Sequence, residues 1–212
     1  MSADHGSSLA ARLARLRRIP ARTVSAHVAL GFAIPVAVAV ASGSTADPSD
    51  RVDHAARGQA ILAPFKSALQ SALRDGLAEG PVNAIGVCRH DAPELAARAS
   101  TGSVRVGRTS HKLRNPRNAP EPWMEPLLAH YLEDPGSRAP RSVDLEGGRV
   151  GYVEPIFVQA ACLACHGESL APSVDERLGE LYPDDRATGF EIGDLRGLFW
   201  AEFPAEPEGG AP

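Results

Sequence analysis

Cys162-Leu163-Ala164-Cys165-His166 places two thiols three positions apart and an imidazole directly after the second. This C-x-x-C-H spacing suits covalent haem attachment. Two thiols so spaced can reach the two vinyl groups along one porphyrin edge, and the adjacent His166 is then carried to the iron as an axial ligand. Other uses of the pair compete. A thioredoxin-type redox pair expects a preceding strand early in a βαβ unit. A zinc site could recruit Cys88 with His166, but no second C-x-x-C or H-x-x-H pair accompanies it. A plain disulfide would have to close a very tight loop. Haem is the leading reading.

A haem iron usually has a second axial position. Cys88, His90, His111, His130 and Met124 are the candidates, Met124 being the only methionine after the start. A methionine ligand would raise the reduction potential and a thiolate would lower it.

The chain of 212 residues suffices for one domain plus a leader. Arg12, Arg15, Arg17, Arg18 and Arg22 form a basic stretch, followed by an apolar run from Val28 to Ala41 and small residues at Ser44-Thr45-Ala46. This reads as an export signal over residues 1–46, cut after Ala46. The rival is an uncleaved inner-membrane anchor, although the run is short of the roughly 20 apolar residues a span needs. Either outcome puts the remainder outside the cytoplasm, in the periplasm. The leader holds five of the 22 basic residues and one of the 26 acidic ones, leaving 17 basic against 25 acidic, a net of −8. That balance is opposite to a nucleic-acid binder's. It fits an acidic exported protein whose docking partner is basic. Three cysteines are an odd number for such a protein, so one is free or something other than a disulfide uses them.

The elements that must carry these groups are short and mixed. A linker is expected at Pro48 to about Val52. Leu62, Phe65, Leu69 and Leu73 then share one helical face, with Pro64 expected to kink or restart the helix and Gly80-Pro81 to stop it. Ala84 to Cys88 reads as a buried strand. Asp91 reads as the N-cap of a short helix reaching Ala99. A strand is expected around Val104 to Val106 and a basic loop over residues 107–122. Glu125 to Leu132 reads as a helix, and residues 133–148 as loop. Further expectations are a strand within Arg149 to Val158, a helix from Val174 to Leu181 and a last strand before Phe203. Together they predict one α/β (α+β) domain over residues 47–204, with a tail at 205–212. They do not give the all-helical pattern of the small soluble cytochromes c.

Several ordered blocks go further. Gly80-Pro81-x-x-Ala84-Ile85-x-Val87-Cys88 precedes Ala92-Pro93. Arg108-x-Ser110 and Arg114-Asn115-Pro116-x-Asn118 follow, then the Cys162 to Gly167 block. Tyr182-Pro183-x-Asp185-x-Ala187-x-Gly189 and Gly193-Asp194-x-Arg196-Gly197 close the series. Together they resemble a family of bacterial periplasmic proteins with a single c-type haem and a PAS-like α/β fold, found alone or as the input module of signalling proteins. The resemblance spans about residues 55–203. It implies a short central sheet flanked by helices, one covalent haem c, and His/Cys ligation with Cys88 as the second axial ligand opposite His166. The third cysteine then has a use. Its alternatives are a buried free thiol at Cys88 with His90 or His111 as ligand. His130 and Met124 read as surface and core residues. Arg108 and Arg114, in the basic loop, are candidates for the haem propionates. Tyr182, Asp185, Asp194 and Arg196 read as turn and packing residues.

A thiolate in the sixth position would block the iron and favour the ferric state. The expected function is therefore electron transfer with a redox partner protein. The alternative is a redox or gas sensor in which Cys88 leaves on reduction. No kinase, receiver or methyl-accepting region follows in the sequence, so sensing would need a separate signalling partner. A peroxidase-like enzyme is the third reading, and no residues nominate themselves as its acid–base pair.

Overall fold

A computed structural model of the chain describes residues 48–205. The expected leader at 1–46 and all but the first residue of the expected tail lie outside them. Among the described residues six α-helices and four strands run in the order α1 (Pro48–Ala78), α2 (Pro81–Gly86), α3 (Ala92–Ala99), β1 (Arg105–Thr109), α4 (Glu125–Glu133), β2 (Arg141–Leu145), β3 (Arg149–Phe157), α5 (Leu163–His166), α6 (Pro172–Leu181) and β4 (Leu195–Pro204). The strands form one antiparallel sheet in the order β1-β4-β3-β2. Helices and sheet combine in a mixed α/β fold, as expected. Among the described residues no helix is long and apolar enough to cross a membrane.

Alternation along the strands divides the core between the two faces of the sheet. On one face Leu62, Phe65 and Leu69 of α1 and Ala92 of α3 pack against Val106, Val150, Tyr152, Ala201 and Phe203. On the other, Leu127, Leu128 and Tyr131 of α4 cover Val153, Leu195 and Leu198. The α1 stripe follows the spacing read from sequence, but two details differ. The helix already begins at Pro48, where a linker was expected, and it runs through Pro64 without restarting. Pro64 and Ala60, four residues before it, are both exposed. The carbonyl that loses its helical donor to Pro64 is thus open to water, which lowers the cost of the proline.

Three other expectations are overturned. Ala84 to Cys88 is not a strand. The chain is helical from Pro81 to Ala99, with a π-helical turn at Val87–Asp91 joining α2 to α3. A five-residue apolar run fits a buried strand and a buried helical turn equally well. Here Ala84 and Ile85 are buried, and α2 packs on α1 and α6. Asp91 continues the helix with φ −75° and ψ −38° and caps nothing. The expected loop at 133–148 contains β2, an edge strand with only two apolar residues, so its alternation is faint. Its sequence mark was Gly147-Gly148, which closes the hairpin to β3 with φ of 73° and 66°.

One helical glycine supports a stability prediction. Gly58 is buried on α1, and a Cβ there would meet Tyr152 Cγ at 2.2 Å and Cβ at 2.7 Å. Alanine would normally favour a helix interior by about 1 kcal/mol over glycine. Tyr152 is 1% exposed and cannot give way at its ring root. Gly58→Ala is therefore expected to destabilise by about 1–3 kcal/mol, read as a lowered Tm. A raised Tm would contradict this packing.

Candidate functional site

The C-x-x-C-H residues occupy one compact turn. After β3, a 3-10 turn at Ala160–Cys162 leads into α5, which ends at His166. The thiols enter separate apolar clusters. Cys162 packs with Val158, Ala187 and Phe190, and Cys165 with Ile85, Val174, Leu178 and Tyr182. All three cysteines are free and half-buried. Burial pushes the Cys165 thiol up, Arg114 opposes this, and Cys88 and Cys162 add to it. Among the described residues no three His, Cys, Asp or Glu side chains are grouped to hold a metal ion by themselves.

His166 is held at both ring nitrogens. Nδ1 lies 2.6 Å from the Ala187 carbonyl, which can only accept, so Nδ1 carries the proton and Nε2 keeps its lone pair. Arg196 Nε approaches Nε2 at 3.5 Å. Burial first, then the charges of Arg196 and Arg114, lower the His166 pKa to about 3; the Ala187 bond opposes this and Arg108 adds to it. The imidazole is thus neutral at physiological pH, the state that ligates metal.

The segment from Tyr182 to Phe190 fastens this turn. Gly189 N–H donates to the Gly167 carbonyl and Phe190 N–H to the His166 carbonyl, both at 3.0 Å. The Phe190 ring stands edge-on to His166 and to His111, with centroids 6.3 and 5.9 Å away.

The arginines separate into distinct roles. Arg114 is 7% exposed and pairs through Nε with Asp185 Oδ2 at 2.9 Å. Its Nη2 donates to the carbonyls of Cys165 at 2.5 Å and Ala187 at 3.4 Å. Arg108 is half-buried on β1, and its side chain forms no hydrogen bond or ion pair among the described residues. It lines a cavity with Cys88, Phe65, Pro93, Val106 and Trp200. Arg196 was read as a packing residue, yet it reaches His166. Its Nη1 donates to Ser110 Oγ at 3.0 Å and to the Lys112 carbonyl at 3.4 Å, and its guanidinium lies over Phe190. Burial, Arg114 and Arg108 lower its pKa to about 10. The sequence signal for Arg196 was only its block, Gly193-Asp194-x-Arg196-Gly197. Three cations with Asp185 as local counter-charge make a setting that favours a bound anion.

The remaining candidates fall as follows. Cys88 lies on the π-helical turn and is near enough to shift Cys165, Tyr182 and Arg196 electrostatically. The fold thus brings it to the attachment turn from 74 positions away in sequence. His90 is exposed. His130 bonds Ser137 Oγ at 3.1 Å and Arg141 at 3.2 Å. Met124 is 1% exposed and belongs to the core.

A family model described as Tll0287-like matches residues 23–204. The chain is similar to a protein solved as the crystal structure of the cyanobacterial heme-protein Tll0287, with 34% sequence identity and a TM-score of 0.44. That likeness covers 55% of this chain and 68% of the other. No curated protein matches.

Proposed function

The chain belongs to the Tll0287-like family, and from that premise we propose that it is an exported monohaem c-type protein that transfers electrons. A relative at 34% identity is described as a heme-protein. The observation that carries the reading is the attachment turn itself. It offers two free thiols and a neutral imidazole whose Nδ1 is engaged by Ala187, so that the Nε2 lone pair, which meets only Arg196 Nε at a long 3.5 Å, is the one iron would take. In this reading Cys162 and Cys165 would hold the haem through thioether bonds, each S–H added across one vinyl C=C, which needs no oxidant. His166 Nε2 and the Cys88 thiolate would ligate its iron. Arg108, a cation with no anionic partner among the described residues, would pair with a propionate. Arg114 supports the turn through the Cys165 carbonyl. When bound, the haem supplies a one-electron ferric/ferrous couple, and a thiolate ligand biases it to low potential.

A second reading is favoured by one observation. Cys88 sits on a π-helical turn, a local departure from regular helix often found at functional positions. A ligand held there could leave on reduction and admit a diatomic gas, making the protein a sensor that acts with a separate signalling partner.

Optical spectra of the purified protein, oxidised and then reduced under carbon monoxide, test both readings. A haem spectrum unmoved by the gas supports the electron carrier. Rapid carbon monoxide binding supports the sensor. A colourless protein sinks both.

A further inference from the structure

Arg114 and Asp185 form a buried ion pair that sequence alone assigns to packing or propionate binding. Their side chains are 7% and 11% exposed. Such a pair is weak evidence for stability, because desolvation offsets most of the attraction. Its bonds point to another use. Asp185 binds Arg114 through Oδ2 and accepts the Ala187 N–H through Oδ1 at 2.7 Å. Arg114 spans from Asp185 to the Cys165 carbonyl, one residue before His166, and touches the Ala187 carbonyl. The same Ala187 carbonyl accepts from His166 Nδ1. One ion pair thus clamps both the backbone that carries the imidazole and the acceptor that fixes its tautomer. Arg186 N–H, donating to the Leu113 carbonyl at 2.8 Å, ties the same two segments together beside the pair.

We infer that Arg114 and Asp185 are positioning residues for His166: by fixing the Ala187 carbonyl they hold the Nδ1–H tautomer and strengthen the imidazole as a donor to iron. The part concerning iron rests on the haem reading; the part concerning the tautomer does not. A hydrogen bond from Nδ1–H to a carbonyl raises the basicity of the ligand nitrogen and favours the ferric state. Loosening it should raise the reduction potential.

The charge-neutral double variant Arg114→Met/Asp185→Leu separates this from simple electrostatics, because it removes one charge of each sign. In the haem-loaded chain, with haem staining on denaturing gels still at wild-type level, its midpoint potential is expected to rise. A tenfold loss of ferric preference corresponds to about 59 mV for a one-electron couple. The single variant Arg114→Met adds a sign test. Loss of a nearby cation alone would lower the potential, whereas loss of positioning raises it. A double variant at the wild-type potential, or Arg114→Met moving it down, overturns the inference.

A second readout needs no haem. Arg196 Nε, donating to Nε2 at 3.5 Å, favours the same tautomer, so the comparison is made in an Arg196→Met background. Ring nitrogen NMR of that haem-free full chain should show His166 as a single Nδ1–H tautomer, and as a mixture once Asp185→Ala is added. A single Nδ1–H tautomer retained with Asp185→Ala overturns the positioning role. If the wild-type chain binds no haem, the proposed function fails while this measurement still decides the inference.

Discussion

The double variant Cys162→Ser/Cys165→Ser is expected to carry no haem through denaturing electrophoresis, whereas the wild-type band stains for it. The difference is all-or-none, because a serine hydroxyl is too weak a nucleophile to replace a thiol in adding to a vinyl group. Each single variant should keep one thioether and part of the stain. The fold itself should survive. Both thiols are half-buried at the edges of their clusters, and α1 and the sheet face it covers form a core that does not include them. Far-UV circular dichroism near that of the haem-free wild-type chain is the control. The tethered haem would be ligated by protein side chains and packed only in the folded state, which adds to that state's stability. The double variant should therefore melt earlier than the loaded protein. Undiminished stain in the double variant would remove the attachment role from this motif.

Cys88→Ala carries the next largest expected effect. In the proposed ligation, by the Cys88 thiolate together with His166, the ferric protein would be low-spin. Without the thiolate the iron keeps one strong protein ligand, and the ferric spectrum should turn high-spin. Removing an anion from the coordination sphere also raises the reduction potential, and each tenfold loss of preference for ferric iron is about 59 mV for one electron. The substitution is mild for the fold, since alanine suits a helical turn and the thiol is only partly buried. An unchanged low-spin spectrum would move the sixth ligand to a histidine. His111, edge-on to the same Phe190 ring as His166, would be the first to examine.

The thiol–thiol–imidazole grouping was legible from sequence because five consecutive residues fall on one turn, whatever surrounds them. The α1 stripe was legible for a similar reason, since Leu62, Phe65 and Leu69 repeat at the helical period and all are buried. The mixed α/β class followed from alternating short apolar segments. The helical state of Ala84 to Cys88 was not legible, because a run of five apolar residues carries no period long enough to choose between helix and strand. Strand β2 was obscured because an edge strand needs little apolar sequence.

What the sequence by itself determined is the chemistry available at Cys162, Cys165 and His166. The tertiary structure decided what state those groups are in. The neutral imidazole and its tautomer depend on Ala187, Arg196 and Arg114, residues 21, 30 and 52 positions away in the chain. The proximity of Cys88 depends on a helix and a π-turn that only packing against α1 and α6 selects. A motif fixes bonding types within one turn, whereas burial, charge and aim come from segments that meet only when the chain folds.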